Sequence, residues 1–460
     1  MEHTIRWPFL LSSAATYWKK WSRVFYCCLF TLLLMLAILC SDDRSYSQTS
    51  RPTSPVDLSG TVRDSINPEI LVNGTDVFTL WVGLGSGVEK QSDIYFRRSS
   101  DGGATFDGTI NLSNNMGSSF NPKMAMSGKN VYVAWQDATG QTGNTTIMFR
   151  RSSDGGATFY PAVTINAYSG ISRKPALFAS ENNVFLLRQE LKPESQQIYY
   201  TRSTDFGRTF SFPVSLSKGT DIDAVNANIN SGDNGKLVHI VLTEGNFNEG
   251  TSKIIYERSS DGGGTFGKPV VMSAGGKFAT TPLIASEANN VYILWKEGAF
   301  NKGQVKFTSS SDSGTTFNKT LTLSMDENSD LNLFQGGPHV YTSWVTDSDH
   351  KQEIVLRTSD DYGTTFAKAL ILNSMMGNGS TPQIGADANS TYVYWQNSNG
   401  TSSDIVTRKS NSTANIFQEP QFISTDHRSA NPKVSVFGGK SYVVWQSGLP
   451  GAHHVLFSTW

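Results

Sequence analysis

The chain has 460 residues and a net charge of −1 at pH 7, from 38 basic and 39 acidic side chains. That balance excludes the basic field by which proteins hold nucleic acid or an anionic membrane surface. Its 3 cysteines, Cys27, Cys28 and Cys40, share one apolar N-terminal stretch, so no disulfide framework, metal-thiolate site or cysteine nucleophile is expected after residue 40.

Residues 1–23 form a basic segment expected on the cytoplasmic side. Residues 24–40 carry no charge, with Lys19, Lys20 and Arg23 before them and Asp42 and Asp43 after. This length is at the short limit for a helix crossing a bilayer, and the charge bias sends the C-terminal part of the chain outside. The segment reads as a transmembrane anchor or, alternatively, a signal segment. Residues 41–54, rich in Ser, Thr, Asp and Arg, read as a linker. The expected location is the cell membrane with an extracellular body, or secretion.

Beyond the linker the chain repeats itself about every fifty residues, the mark of one supersecondary unit stacked many times. Ser-Ser-Asp-Gly-Gly-Ala-Thr-Phe occurs at 99–106 and again at 152–159. Near copies follow at 203–210, 259–266, 310–317 and 359–366, and a worn seventh at 410–417. Each is a turn: a short carboxylate accepts hydrogen bonds from N–H groups just ahead of it, and glycine supplies positive φ. The closing Phe is expected to pack under the turn. A second repeated element is a β-branched and aromatic strand, as in Val-Tyr-Val-Ala-Trp (131–135) and Val-Tyr-Ile-Leu-Trp (291–295). A third precedes it, often opening on Asn-Pro or Thr-Pro, as at Asn67-Pro68 and Thr281-Pro282. A fourth follows each box, as in Thr-Ile-Asn-Leu-Ser (109–113). Four short strands per unit make a propeller blade. The last unit, 431–460, stops after three strands, and Pro-Val-Asp-Leu-Ser (55–59) is a strand without a blade. Pairing the two closes the ring and removes its free edge. The expectation is an all-β propeller of about eight four-stranded blades, or seven if one unit is merged, over residues 55–460, behind an N-terminal hydrophobic helix.

The boxes resemble the Asp-box, or BNR repeat, and the chain is similar to the Asp-box β-propellers, whose best-known members are sialidases. Six good copies carry the resemblance over nearly everything from residue 55 onward. It implies that each box joins the third and fourth strands of a blade, on the rim away from the functional face. Asp101, Asp154, Asp205, Asp261, Asp312 and Asp361 are then turn formers. The arginines that recur before each box, such as Arg97, Arg98, Arg150 and Arg357, are expected to be structural too.

The opposite face carries the ends of the Trp strands and the loops into each first strand. It offers Asp64, Asp137, Glu244, Glu297 and Asp347 as a binding face. A sialidase needs three arginines to grip the substrate carboxylate, because the guanidinium fork matches it bidentately. It also needs a Tyr/Glu nucleophile pair and an acid/base Asp. Arg63, Arg173, Arg188 and Arg428 stand outside the repeat consensus near this face. Arg188 replaces the strand Trp, with Glu190 two residues on, so these four arginines and Glu190 are the catalytic candidates. The Arg-Ile-Pro signature of the family is absent from the first blade, where Ile66-Asn67-Pro68 stands instead. Three functions remain open: an exported surface module binding carbohydrate or a cell-surface protein, an exo-acting sialidase with a divergent signature, or a structural envelope protein. No metal or other cofactor is expected, and no nucleic acid.

Overall fold

The strand bearing each Trp is buried in a continuous run rather than alternately: Val131, Tyr132, Val133, Ala134 and Trp135 are all fully buried. A sheet covered on one face only would alternate, so a continuous run requires cover on both faces. Here the cover is a neighbouring sheet on each side. The structure, a computed structural model, describes residues 52–460 apart from 85–90, 139–143, 166–170, 218–221, 275–276, 300–301, 326–327, 349, 389, 411–415 and 425. The expected N-terminal segments 1–23 and 24–40, and most of the linker, lie outside the described residues. Among the described residues no helix is long and apolar enough to cross a membrane.

Eight four-stranded antiparallel sheets form eight blades. Strand A of blades 1 to 8 is Arg63–Asn73, Ser118–Ser127, Ile171–Ser180, Asp223–Gly232, Phe278–Glu287, Asn328–Gly336, Asn378–Ala386 and Ser429–Phe437. Strands B, C and D follow outward in chain order, as in blade 1 with Asp76–Leu84, Ser92–Ser99 and Ile110–Asn111. In blade 8 the fourth strand is Val56–Asp57, which pairs antiparallel with Ala452–Thr459. The A strands of neighbouring blades touch one another, which places them innermost. Helix is confined, among the described residues, to two 3-10 turns at Asp233–Gly235 and Phe247–Glu249.

The core is therefore a set of layers, one per seam. Phe78, Leu80 and Phe96 of blade 1 pack with Val131, Val133 and Trp135 of blade 2, and the pattern recurs around the ring. Trp81, Trp135, Trp295, Trp344, Trp395 and Trp445 are among the largest fully buried side chains. Burying one indole is worth about 4–6 kcal/mol of transfer free energy.

Two local expectations need correction. The Asn-Pro and Thr-Pro pairs do not open strand A but sit inside it: Pro68 lies within Arg63–Asn73 and Pro282 within Phe278–Glu287. The pairing register breaks at this point in all eight blades, and in the six that carry proline there the β-bulge spares the ladder the missing proline N–H; blades 4 and 6 keep the bulge with Ala227 and Leu331 in its place. The residue at the bulge has a φ of 48° to 53° in every blade: Asn67, Asn121, Lys174, Asn226, Thr281, Asp330, Thr381 and Asn431. Nor does the box Phe pack under its own turn. Phe266 of blade 4 meets Tyr200 of blade 3 edge-on, with centroids 5.0 Å apart, and Phe366 of blade 6 meets Phe307 of blade 5 at 4.9 Å.

Candidate functional site

Chain direction sorts the loops onto two faces. Strand A runs away from the face that carries the B–C and D–A loops, and the A–B turns and boxes meet at the other. There each box is stitched to its own blade's A–B turn, as by Gly102 N–H to the Thr75 carbonyl at 2.8 Å. In the first box the Ser99 hydroxyl donates to Asp101 Oδ1 (2.7 Å), and the Thr105 N–H donates to that same oxygen (2.9 Å). The Thr105 hydroxyl donates to Oδ2 (2.6 Å). The pattern repeats at Asp154, Asp205, Asp261, Asp312 and Asp361. Hydrogen bonding, the Thr105 hydroxyl first, lowers the Asp101 carboxyl from 3.8 to about 2. The box is also an inter-blade clasp. Gly263 has φ +78°, and a Cβ there would lie 1.8 Å from the Tyr200 hydroxyl of the preceding blade.

The recurrent arginines complete this frame. Arg97 donates to the Asp107, Leu58 and Phe106 carbonyls, and Arg357 to their counterparts Ala367, Leu323 and Phe366. Arg98 reaches the next box at the Gly155 carbonyl (3.0 Å), and Arg258 reaches Ser313 (2.6 Å).

Several carboxylates expected on the binding face are held by packing partners. Residues i and i+2 of a strand share a face, so a carboxylate two after Trp meets the indole. Asp137 Oδ2 accepts from Trp135 Nε1 (3.1 Å), Ser119 Oγ (2.7 Å) and Asn115 Nδ2 (2.8 Å) and is fully buried. Glu297 Oε2 accepts from Trp295 Nε1 (3.2 Å) and the Ala274 N–H (3.0 Å). Arg188 and Glu190 copy this arrangement: Arg188 Nε donates to Glu190 Oε1 at 2.9 Å, with side chains 0% and 4% exposed. The Arg188 guanidinium lies 5.3 Å from the Tyr199 ring centroid. The pair fills the slot that Trp occupies in other blades, and Arg188 borders a cavity of about 560 Å³ with Ile165, Thr201 and Phe210. Glu244 pairs with Lys253 (3.2 Å), Asp64 with His453 (2.6 Å), and Asp347 is exposed at its strand end.

Arg63, Arg173 and Arg428 belong to blades 1, 3 and 8 and stand at different heights: four, one and three residues before the bulge of their blades. Arg63 and Arg428 are exposed. Arg173 is half-buried, and its Nε has no hydrogen-bond partner. Among the described residues no hydrogen bond or ion pair joins the three. Arg428 lines a cleft of about 360 Å³ between blades 7 and 8, beside His427.

The central cavity was missed from sequence. It measures about 450 Å³ and is lined by the bulge residues Asn67, Asn121, Lys174, Asp330, Thr381 and Asn431, so it lies on the ring axis. Glu69, Lys123, Gln383 and Lys433 also line it, and Lys123 is ion-paired with Glu69 across the first seam. The Asp330 carboxylate accepts the Thr381 N–H at 3.1 Å. The available signal was the shared position before proline, which all of these bulge residues but Asp330 occupy. Its third-blade copy, Arg173-Lys174-Pro175, also carries the arginine that the first blade lacks in Arg-x-Pro spacing. Among the described residues no cluster of His, Cys, Asp and Glu has the makings of a metal site.

Residues 173–403 match the sequence family described as the BNR repeat-like domain. No curated protein matches the chain significantly. Among solved structures, a polysaccharide lyase described as an ulvan lyase superposes with a TM-score of 0.49 at 12% identity, covering 88% of this chain and 95% of its own. A mutant NanB sialidase from Streptococcus pneumoniae gives 0.38 at 12% identity, over 91% of this chain and 72% of that one. The Trypanosoma rangeli sialidase bound to the inhibitor DANA gives 0.41 at 11% identity, over 89% of this chain and 58% of that one.

Proposed function

We propose, for a chain that belongs to the BNR repeat-like domain family, an exported surface propeller that binds carbohydrate or a cell-surface protein at the mouth of its central cavity. One observation carries this reading: the bulges of the inner strands turn amide, hydroxyl and charged side chains into a single axial cavity. Such groups suit a ligand rich in hydroxyls and amides, which needs donors and acceptors rather than one strong charge. In this reading strand 55–59 closes the ring, and residues 24–40 anchor the chain in the membrane or direct its export.

The test is a glycan array and a cell-surface pull-down with the purified protein and a Lys174→Ala, Asn431→Ala double variant. Binding that the variant loses supports the reading. Binding that it keeps, or no binding to either, sinks it.

A second reading, an exo-acting glycosidase of sialidase type, is favoured by Arg173 in Arg-x-Pro spacing at the cavity's edge. Turnover of a fluorogenic sialoside that disappears in Arg173→Ala would replace the first reading with this one.

A further inference from the structure

We propose that blade 8 is a latch fastened to both of its neighbours by histidine–aspartate pairs, which tighten as the surroundings acidify. Three of the chain's 7 histidines lie in this blade or in the loop leading to it. Two pair with an aspartate across a seam, and the third pairs with one on the blade's own outer strand. His427 Nδ1 meets Asp404 Oδ2 of blade 7 at 2.9 Å. His453 Nδ1 meets Asp64 Oδ1 of blade 1 at 2.6 Å. His454 Nδ1 meets Asp57 Oδ2, on the strand that completes the blade, at 3.0 Å.

The carboxylates are held in place for this. Asp404 is nearly buried, and its other oxygen accepts the Ser424 hydroxyl at 3.0 Å. Asp64 Oδ1 also takes the Gly451 N–H (3.1 Å). Asp57 spends Oδ1 on the N–H and hydroxyl of Ser59 (2.9 and 2.8 Å), which leaves Oδ2 for His454. His427 has φ +60°, a conformation a residue with a side chain keeps only when its surroundings impose it.

A neutral imidazole gives each carboxylate an ordinary hydrogen bond, and an imidazolium gives a charge-assisted one. The hydrogen bond that the His427 ring donates to Asp404 does most to raise His427 above its usual value, followed by the charges of Asp404 and Asp426. A histidine raised in the folded state contributes stability that is full below about pH 6.5 and is lost as the pH rises through its folded value. Other charges face these pairs: Asp426 and Arg428 flank His427, Arg63 adjoins Asp64, and Arg97 interacts with Asp57.

The experiment is hydrogen–deuterium exchange of the full chain at pH 5.5 and pH 8.0, with protection factors corrected for intrinsic exchange. Protection over 452–459 is expected to fall roughly fivefold at the higher pH, the scale of a few exposed ion pairs. Strand C of blade 4, Thr251–Ser259, has no such pair and is expected to hold steady. The variant His427→Gln, His453→Gln, His454→Gln keeps a side-chain N–H donor at each site and is expected to lose the pH step. Equal protection at both pH values, equal loosening of blade 4, or a step that survives in the variant would each overturn the proposal. Should the variant fail to fold, the comparison of blades 8 and 4 in the wild type still decides.

Discussion

The seam between blades 5 and 6 and the seam between blades 7 and 8 do the same job with different parts. In the first, the box of blade 6 presses Gly363 and Phe366 onto Phe307 of blade 5. In the second, blade 8 has no box, because its fourth strand is Val56–Asp57. Thr407 stands where blade 5 has Phe307. The C-terminal Trp460 takes over, its ring edge-on to Tyr392 at 5.7 Å. Its backbone exchanges two hydrogen bonds with Ser441, at 2.8 and 3.0 Å. The clasp is thus a requirement of the ring, while the box is only one way to meet it. An aromatic edge against the neighbouring blade is what the two solutions share.

Removing the aromatic from a boxed seam is the strongest way to break this equivalence. Phe307→Ala is expected to cost about 3–5 kcal/mol, read from denaturant unfolding, because the turn above cannot collapse into the space. Trp460→Ala should cost slightly less, about 3 kcal/mol, since the residue sits at a chain end and is 6% exposed. A loss below 1 kcal/mol would show that Trp460 is no clasp. Within the box-bearing part, Asp137→Ala leaves the Trp135 indole N–H buried without an acceptor and is expected to cost about 2 kcal/mol. Asp137→Asn keeps an acceptor and should cost less. Acid gives the smallest and most selective probe. The Thr105 hydroxyl and N–H lower Asp101, and the Thr316 N–H and hydroxyl lower Asp312, each from 3.8 to about 2. A carboxylate depressed in the folded state contributes stability above its unfolded value, lost as the pH falls through the folded one. Unfolding between pH 4 and pH 2 should therefore begin at the boxed seams, with exchange at Trp460 and Ser441 rising later. Simultaneous loss would remove the distinction.

The boxes, the Trp strands and the four-strand period were legible because each is a local pattern with a local cause. Partners across a seam were not, since no local rule says which aromatic of the previous blade receives Phe266 or Phe366. The bulges ran against a local rule: a residue before proline is biased to extended backbone, yet Thr281 and Thr381 sit at φ +50° and +49°. Asp137, Glu190 and Glu297 read as a ring of functional carboxylates because their strand ends point toward one face. The spacing of two from Trp135, Arg188 and Trp295 already placed each beside a buried donor, and that signal outweighed the other. The axial cavity needed the ring closed before six inner strands could share it.

The first box finds its aromatic partner, Phe457, only at the far end of the chain. Around it, Thr53 bonds Ser458 across 405 residues and His454 bonds Asp57 across 397. During synthesis, N-terminus first, blade 1 must therefore wait with one flank bare until blade 8 has been made. Contacts of such separation close slowly, and the waiting flank, lined by Trp81 and Tyr95, is the surface an assisting chaperone or a second unfinished chain would meet first.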